Sequence, residues 1–166
     1  MFARKFAPAL VFVAFGAGIA HAEVPVRIDQ FDHWGAYSYK SGDSVNCYVL
    51  SRPVAQQPAN VDHGDNFFIV SRLSSGDKLV PEAAMGYDPK DGAPMTAMVG
   101  DKTFPMFTKD RHAWVKDETQ EPTLVSAMKG GAQLQLQATS KRGTATSYSY
   151  SLSGITAALK RIETCK

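Results

Sequence analysis

Gln133-Leu134-Gln135-Leu136-Gln137-Ala138 and, after the turn Ser140-Lys141-Arg142-Gly143, Thr144-Ala145-Thr146-Ser147-Tyr148-Ser149-Tyr150-Ser151-Leu152 decide the fold class. Both runs alternate with period two, and residues two apart on a strand share a face. Leu134, Leu136 and Ala138 therefore face one way and the three glutamines the other. Tyr148, Tyr150 and Leu152 likewise oppose Ser147, Ser149 and Ser151. Two such runs joined by a short polar turn predict an antiparallel hairpin.

The same pattern extends upstream. Residues 34–39 and 45–50 flank the turn Ser41-Gly42-Asp43-Ser44, with Val45, Cys47 and Val49 on one face and Asn46, Tyr48 and Leu50 on the other. Arg52-Pro53 ends that strand, and the Pro-, Asn- and Gly-containing stretch to Asn66 reads as a surface loop. Phe67-Phe68-Ile69-Val70 is a short apolar run expected at the centre of a sheet. Strands follow at 79–80 and 83–87, at 95–99 and 102–107 around Gly100-Asp101, and at 112–115. Pro122, Lys129 and Gly130 mark the ends of a short helix over 121–130. A second helix begins at Ser153, read as its N-cap, and carries Ile155, Ala158, Leu159 and Ile162 on one stripe.

The two cysteines, Cys47 and Cys165, lie far apart and form no C-x-x-C motif. Cys165 continues the apolar stripe of the last helix and Cys47 lies mid-strand, so in an oxidising compartment a disulfide clamps helix to strand. The predicted fold is mainly β: a single-domain antiparallel β-sandwich or partly closed barrel with two short helices, the C-terminal one held by that disulfide.

Arg4 and Lys5, the nearly uncharged run 6–20 and Ala20-His21-Ala22 read as a secretory signal peptide over residues 1–22, with the domain at 23–166. Pro8 interrupts the apolar run, which falls short of the roughly 20 residues of a membrane span. Export to the periplasm, outer membrane or medium is expected, with no transmembrane segment after cleavage. Of 18 basic residues two leave with the leader, and the remaining 16 match 16 acidic ones. That balance argues against nucleic acid, whose phosphates attract a basic excess.

No G-x-S-x-G elbow or phosphate-binding glycine loop occurs, and His33, His63 and His112 stand in no recognisable triad pattern. Asp62-His63-Gly64-Asp65 is the richest polar cluster and reads as a solvated turn rather than a metal site. No catalytic, metal or cofactor residue is assigned. The aromatics suggest instead a recognition surface, with Trp34, Tyr37, Tyr39, Tyr148 and Tyr150 as its candidates. The strand 133–138 is a candidate exposed edge.

Taken in order, Phe31-Asp32-His33-Trp34, Cys47 with Ser51-Arg52-Pro53, Ser140-Lys141-Arg142-Gly143-Thr144, and Ser151-Leu152-Ser153-Gly154-Ile155-Thr156-Ala157-Ala158-Leu159 ending at Cys165 resemble the invasion-associated locus B family of alphaproteobacteria. The resemblance covers nearly all of the chain after the leader and supplies no catalytic residues. It implies an exported, non-catalytic envelope or interaction protein, linked in pathogenic members to host-cell entry. Its partner would be an envelope or host-surface protein, with identity and oligomeric state open. The alternatives are a small periplasmic hydrolase and a ligand-carrying β protein.

Overall fold

The structure, a computed structural model, describes residues 24–42, 44–73 and 78–165. The predicted leader lies outside the described residues. Among those residues the strands are β1 (Val26–Phe31), β2 (Trp34–Ser41), β3 (Ser44–Ser51), β4 (Ala55–Gln57), β5 (Phe67–Arg72), β6 (Leu79–Ala84), β7 (Met95–Val99), β8 (Lys102–Lys109), β9 (His112–Val115), β10 (Gln133–Thr139) and β11 (Ala145–Ser151). Helices α1 (Glu121–Gly130) and α2 (Ile155–Glu163) complete the fold.

All strands join one open antiparallel sheet in the order β1-β2-β3-β5-β6-β9-β8-β7-β10-β11-β4. Two-residue loops make three of its hairpins tight: Asp32-His33, Gly100-Asp101 and Asp110-Arg111. The sheet folds over on itself, so that Phe68 on β5 meets Tyr150 on β11 edge-on, ring centroids 5.7 Å apart. Its two halves are stitched rather than closed by a ladder. The Trp34 indole N–H donates to the Ser151 carbonyl at 2.9 Å, and the Ser153 hydroxyl to Asp32 at 2.7 Å.

Alternation explains the core. Ala36, Val49, Phe68, Val70, Ala83, Ala113, Leu134, Leu136, Tyr148 and Tyr150 all point inward and are buried. Helix α2 lays Ile155, Ala158, Leu159 and Ile162 on this interior, and Cys165 beyond its end is bonded to Cys47 with Cα atoms 6.3 Å apart. Arg72 donates to the Glu163 carbonyl at 2.9 Å, placing a cation at the negative end of α2.

One strand not expected from sequence is added and three local expectations are corrected. Val26–Phe31 is a strand, formed by pairing with β2 across a register shift between Arg27 and Asp29 that hides its alternation. The stretch read as surface loop contains β4, which pairs with β11. Gln133–Thr139 is not an edge: β10 lies between β7 and β11, and the edges are β1 and β4. Ser153 is not the α2 cap, because its hydroxyl is spent on Asp32. Gly154 takes the position at φ 93°, packed so closely on the Phe31 carbonyl that a Cβ would collide with it.

Candidate functional site

Five candidate surface aromatics divide cleanly. Trp34, Tyr148 and Tyr150 are fully buried and belong to the core, so they present no recognition surface. Tyr37 and Tyr39 point the other way from Trp34, as an odd spacing on one strand requires. They stand on the outer face of β2.

The register carries that outer face across five further strands. Gly35 pairs with Leu50, Leu50 with Ile69, Ile69 with Glu82, Glu82 with Trp114, and Trp114 with Phe107. Partners in register share a side, so this row and its neighbours two residues away form one surface. At one end Tyr37 stacks on Tyr48 at 5.4 Å, and Tyr39 meets Tyr48 edge-on at 6.1 Å. At the other, Trp114 packs against Phe107 at 5.7 Å and against the His112 ring at 5.8 Å. Between them lie Leu50 and Ile69, and beside them the Arg52 guanidinium sits 4.7 Å over the Phe67 ring. Phe107 is 45% exposed and Tyr39 38%. Burial, then the charges of Tyr37 and Tyr39, push the Tyr48 phenol above its ordinary value.

The histidines settle into structural contacts. His63 is buried, which corrects its reading as part of a solvated turn. Its Nε2 lies 2.9 Å from the Pro58 carbonyl, an obligate acceptor, so Nε2 carries the proton. Nδ1 lies 2.8 Å from the Tyr148 hydroxyl, which in this tautomer donates to it. Asp62 accepts from Gly64 N–H at 2.9 Å and Asn66 donates to the His63 carbonyl at 2.8 Å, so local bonds hold the loop as it crosses Gly86. A Cβ on Gly64 or Gly86 would strike the other segment's backbone. Burial first, then the Tyr87 phenol, push the Tyr148 hydroxyl far above its ordinary value. On the outer face His112 is bonded through Nδ1 to Glu82. Among the described residues no three His, Cys, Asp or Glu side chains converge as a metal site.

A cleft of about 460 Å³ opens at one end of the sheet, between the His63 loop, the segment Gly86-Tyr87-Asp88, Arg111 and the β10–β11 turn. Arg111 donates from Nε to Asp88 at 2.7 Å. That guanidinium holds the Asp88 carboxyl below the usual carboxylate range, Lys141 adding a smaller share.

The model of the invasion associated locus B protein family matches residues 40–163. The chain belongs to the invasion associated locus B family. The match takes in Tyr48 on β3 and the rim of the cleft, begins after Tyr37 and Tyr39, and stops short of Cys165. The crystal structure of invasion associated protein b from Bartonella henselae is similar in fold, with a TM-score of 0.63 over 81% of this chain and 93% of that one, at 15% identity. No match is found among curated proteins. Among the described residues of this family member, no helix is long and apolar enough to cross a membrane.

Register is what reading by segment missed. Trp114, Phe107, Leu50 and Ile69 join Tyr37 and Tyr39 only because distant strands pair in one order. Parity alone separates Trp34 from Tyr37.

Proposed function

We propose that the protein is an exported, non-catalytic interaction protein of the bacterial envelope that engages a partner protein through its outer aromatic face. The observation that carries this reading is the row from Tyr37 and Tyr48 to Trp114 and Phe107, a largely aromatic and apolar surface crossed by Glu82, whose side chains are half-buried and whose Tyr39 and Phe107 are exposed. Surfaces of this kind mark sites of association, and aromatic side chains dominate their energetics. Family membership supports export and an envelope setting. The printed name of the similar structure, invasion associated protein b, supports host-cell entry as the process served.

Fractionating the native bacterium and treating intact cells with protease locates the protein. Confinement to the periplasm makes envelope maintenance the role, and exposure outside makes adhesion or entry the role. The face itself is tested by Phe107→Glu. Its side chain is half-exposed, so folding stability should stay within about 0.5 kcal/mol of wild type. The variant should fail to restore the phenotype of a deletion strain, whether host-cell entry or resistance of the envelope to detergent. Full restoration by Phe107→Glu and by Trp114→Ala together overturns the reading.

A further inference from the structure

The cleft at the end of the sheet, remote in role from the aromatic face, is built from four chain segments that fix one another. The Lys141 amide donates to the Asp88 carbonyl at 2.8 Å and the Lys90 amide to the Thr139 carbonyl at 2.8 Å, locking the β10–β11 turn onto the segment after β6. Within that turn the Gly143 amide donates to the Ser140 carbonyl and the Thr144 amide to the Ser140 hydroxyl. Arg111 is pinned twice: its carbonyl accepts from the Met85 amide at 2.7 Å, and its Nε donates to Asp88. Holding Nε leaves the terminal guanidinium nitrogens as further donors on a residue that lines the cleft. Lys141 and Arg142 line the same cleft from the turn. Arg142 makes no ion pair among the described residues, and Lys141 only senses Asp88.

Two acids share the lining with these cations. Asp88 is bound to Arg111 and Asp62 to the Gly64 amide. Three cations against two carboxylates leave the lining net positive, with Lys141 and Arg142 in no ion pair among the described residues, an arrangement that suits an oxyanion: a fork from Arg, a point charge from Lys.

The floor has a different chemistry. Tyr87 and Thr146 hydroxyls lie 2.6 Å apart, and Thr146 donates onward to the Ala138 carbonyl at 3.3 Å. Tyr87 must then be the donor between them, which leaves its oxygen lone pairs to accept from an O–H. Ser140 and Thr144 add further hydroxyl-bearing lining. The volume falls in the range of small-ligand sites and exceeds what one phosphate needs.

We propose that this cleft binds a phosphate-bearing polyol or sugar, its phosphate held by Arg111, Lys141 and Arg142 and its hydroxyls by Tyr87 and the Ser140–Thr144 turn. The chemistry is shared by free sugar phosphates and by the glycerol phosphate headgroup of an anionic lipid.

Titration calorimetry on the oxidised exported protein uses glucose 6-phosphate, with glucose and inorganic phosphate as separate probes. Sedimentation with phosphatidylglycerol vesicles, against pure phosphatidylcholine, forms the lipid arm. Glucose 6-phosphate should bind at least about tenfold tighter than glucose, and Lys141→Ala with Arg142→Ala should weaken it about tenfold or more, while Tyr87→Phe weakens it less. The two turn residues are exposed, so the double variant should melt as wild type does. Binding of the soluble probe alone assigns the free metabolite class. Vesicle binding lost in the same double variant assigns the headgroup. Absence of binding in both arms, or binding indifferent to the double variant, overturns the proposal.

Discussion

Tyr148-Ser149-Tyr150 on β11 and Tyr37-Ser38-Tyr39 on β2 are the same pattern with opposite fates. The first pair is buried against Phe68, Tyr87 and His63, and the second stands on the outer face beside Tyr48. Alternation says which residues share a side. It does not say which side the folded sheet encloses. On β11 the tyrosines face the interior of the folded-over sheet. On β2 that place is taken by Trp34 and Ala36, so the tyrosines are turned outward.

The largest effect should come from uncoupling the β2–β3 pair from the interior. Beside the outer Tyr48 of β3, Cys47 faces inward, and its bond to Cys165 closes a loop spanning a sequence separation of 118. Loop entropy makes that bond worth about 4–5 kcal/mol, so Cys47→Ser should melt far below the oxidised wild type and near the reduced one. Equal melting of oxidised wild type and variant would remove the clamp from the account.

Next in size is the direct contrast between the two tyrosine pairs. Tyr150→Ala should cost roughly 3–4 kcal/mol by opening a core cavity, whereas Tyr37→Ala should cost under about 1 kcal/mol. Denaturant midpoints measure both, and similar losses would show that the outer face is as important to folding as the inner one. His63→Ala is intermediate: it strips the Pro58 carbonyl and the Tyr148 hydroxyl of their partner inside the structure, at about 1–3 kcal/mol. A midpoint unchanged by that substitution would return His63 to the solvated turn expected from sequence.

The smallest effect is also the most specific. Burial, then the Tyr87 charge, raise the Tyr150 phenol well above its ordinary value of 10.0, and its hydroxyl has no partner among the described residues. A folded pKa above the unfolded one means the unfolded chain loses its proton first. That share of stability is whole below about pH 10 and falls as pH climbs toward the folded value. Tyr150→Phe should therefore leave the neutral-pH midpoint within about 1 kcal/mol of wild type or above it, because an unpaired buried hydroxyl is removed. The same variant should shift alkaline unfolding to higher pH, read by circular dichroism. Tyr37→Phe should not.

Much of the architecture was legible one segment at a time. The hairpin β10–β11, the turn at Gly100-Asp101, both helices and the strand–helix disulfide follow from alternation, helical spacing and the two cysteines. The errors share a cause. β1 hides behind a register shift, β4 is too short to show a pattern, and β10 lies inside the sheet because β7 and β11 flank it. The candidate site was legible in part. Tyr37 and Tyr39 could be named from their strand, but Trp114 and Phe107 join them only through β3, β5, β6 and β9. The cleft draws Arg111, Asp88 and Lys141 from turns far apart in sequence.

Covalent geometry makes alternation and helical spacing local properties, so the sequence by itself determined the mainly β class, the faces of each strand, the apolar stripe of α2 and the presence of one cysteine pair. Strand order, the side enclosed when the sheet folds over and the meeting of loops at one end depend on contacts between distant segments. Those contacts form only when many strands bury their inner faces together, and for that reason the tertiary structure alone decided where the aromatic face and the cleft lie.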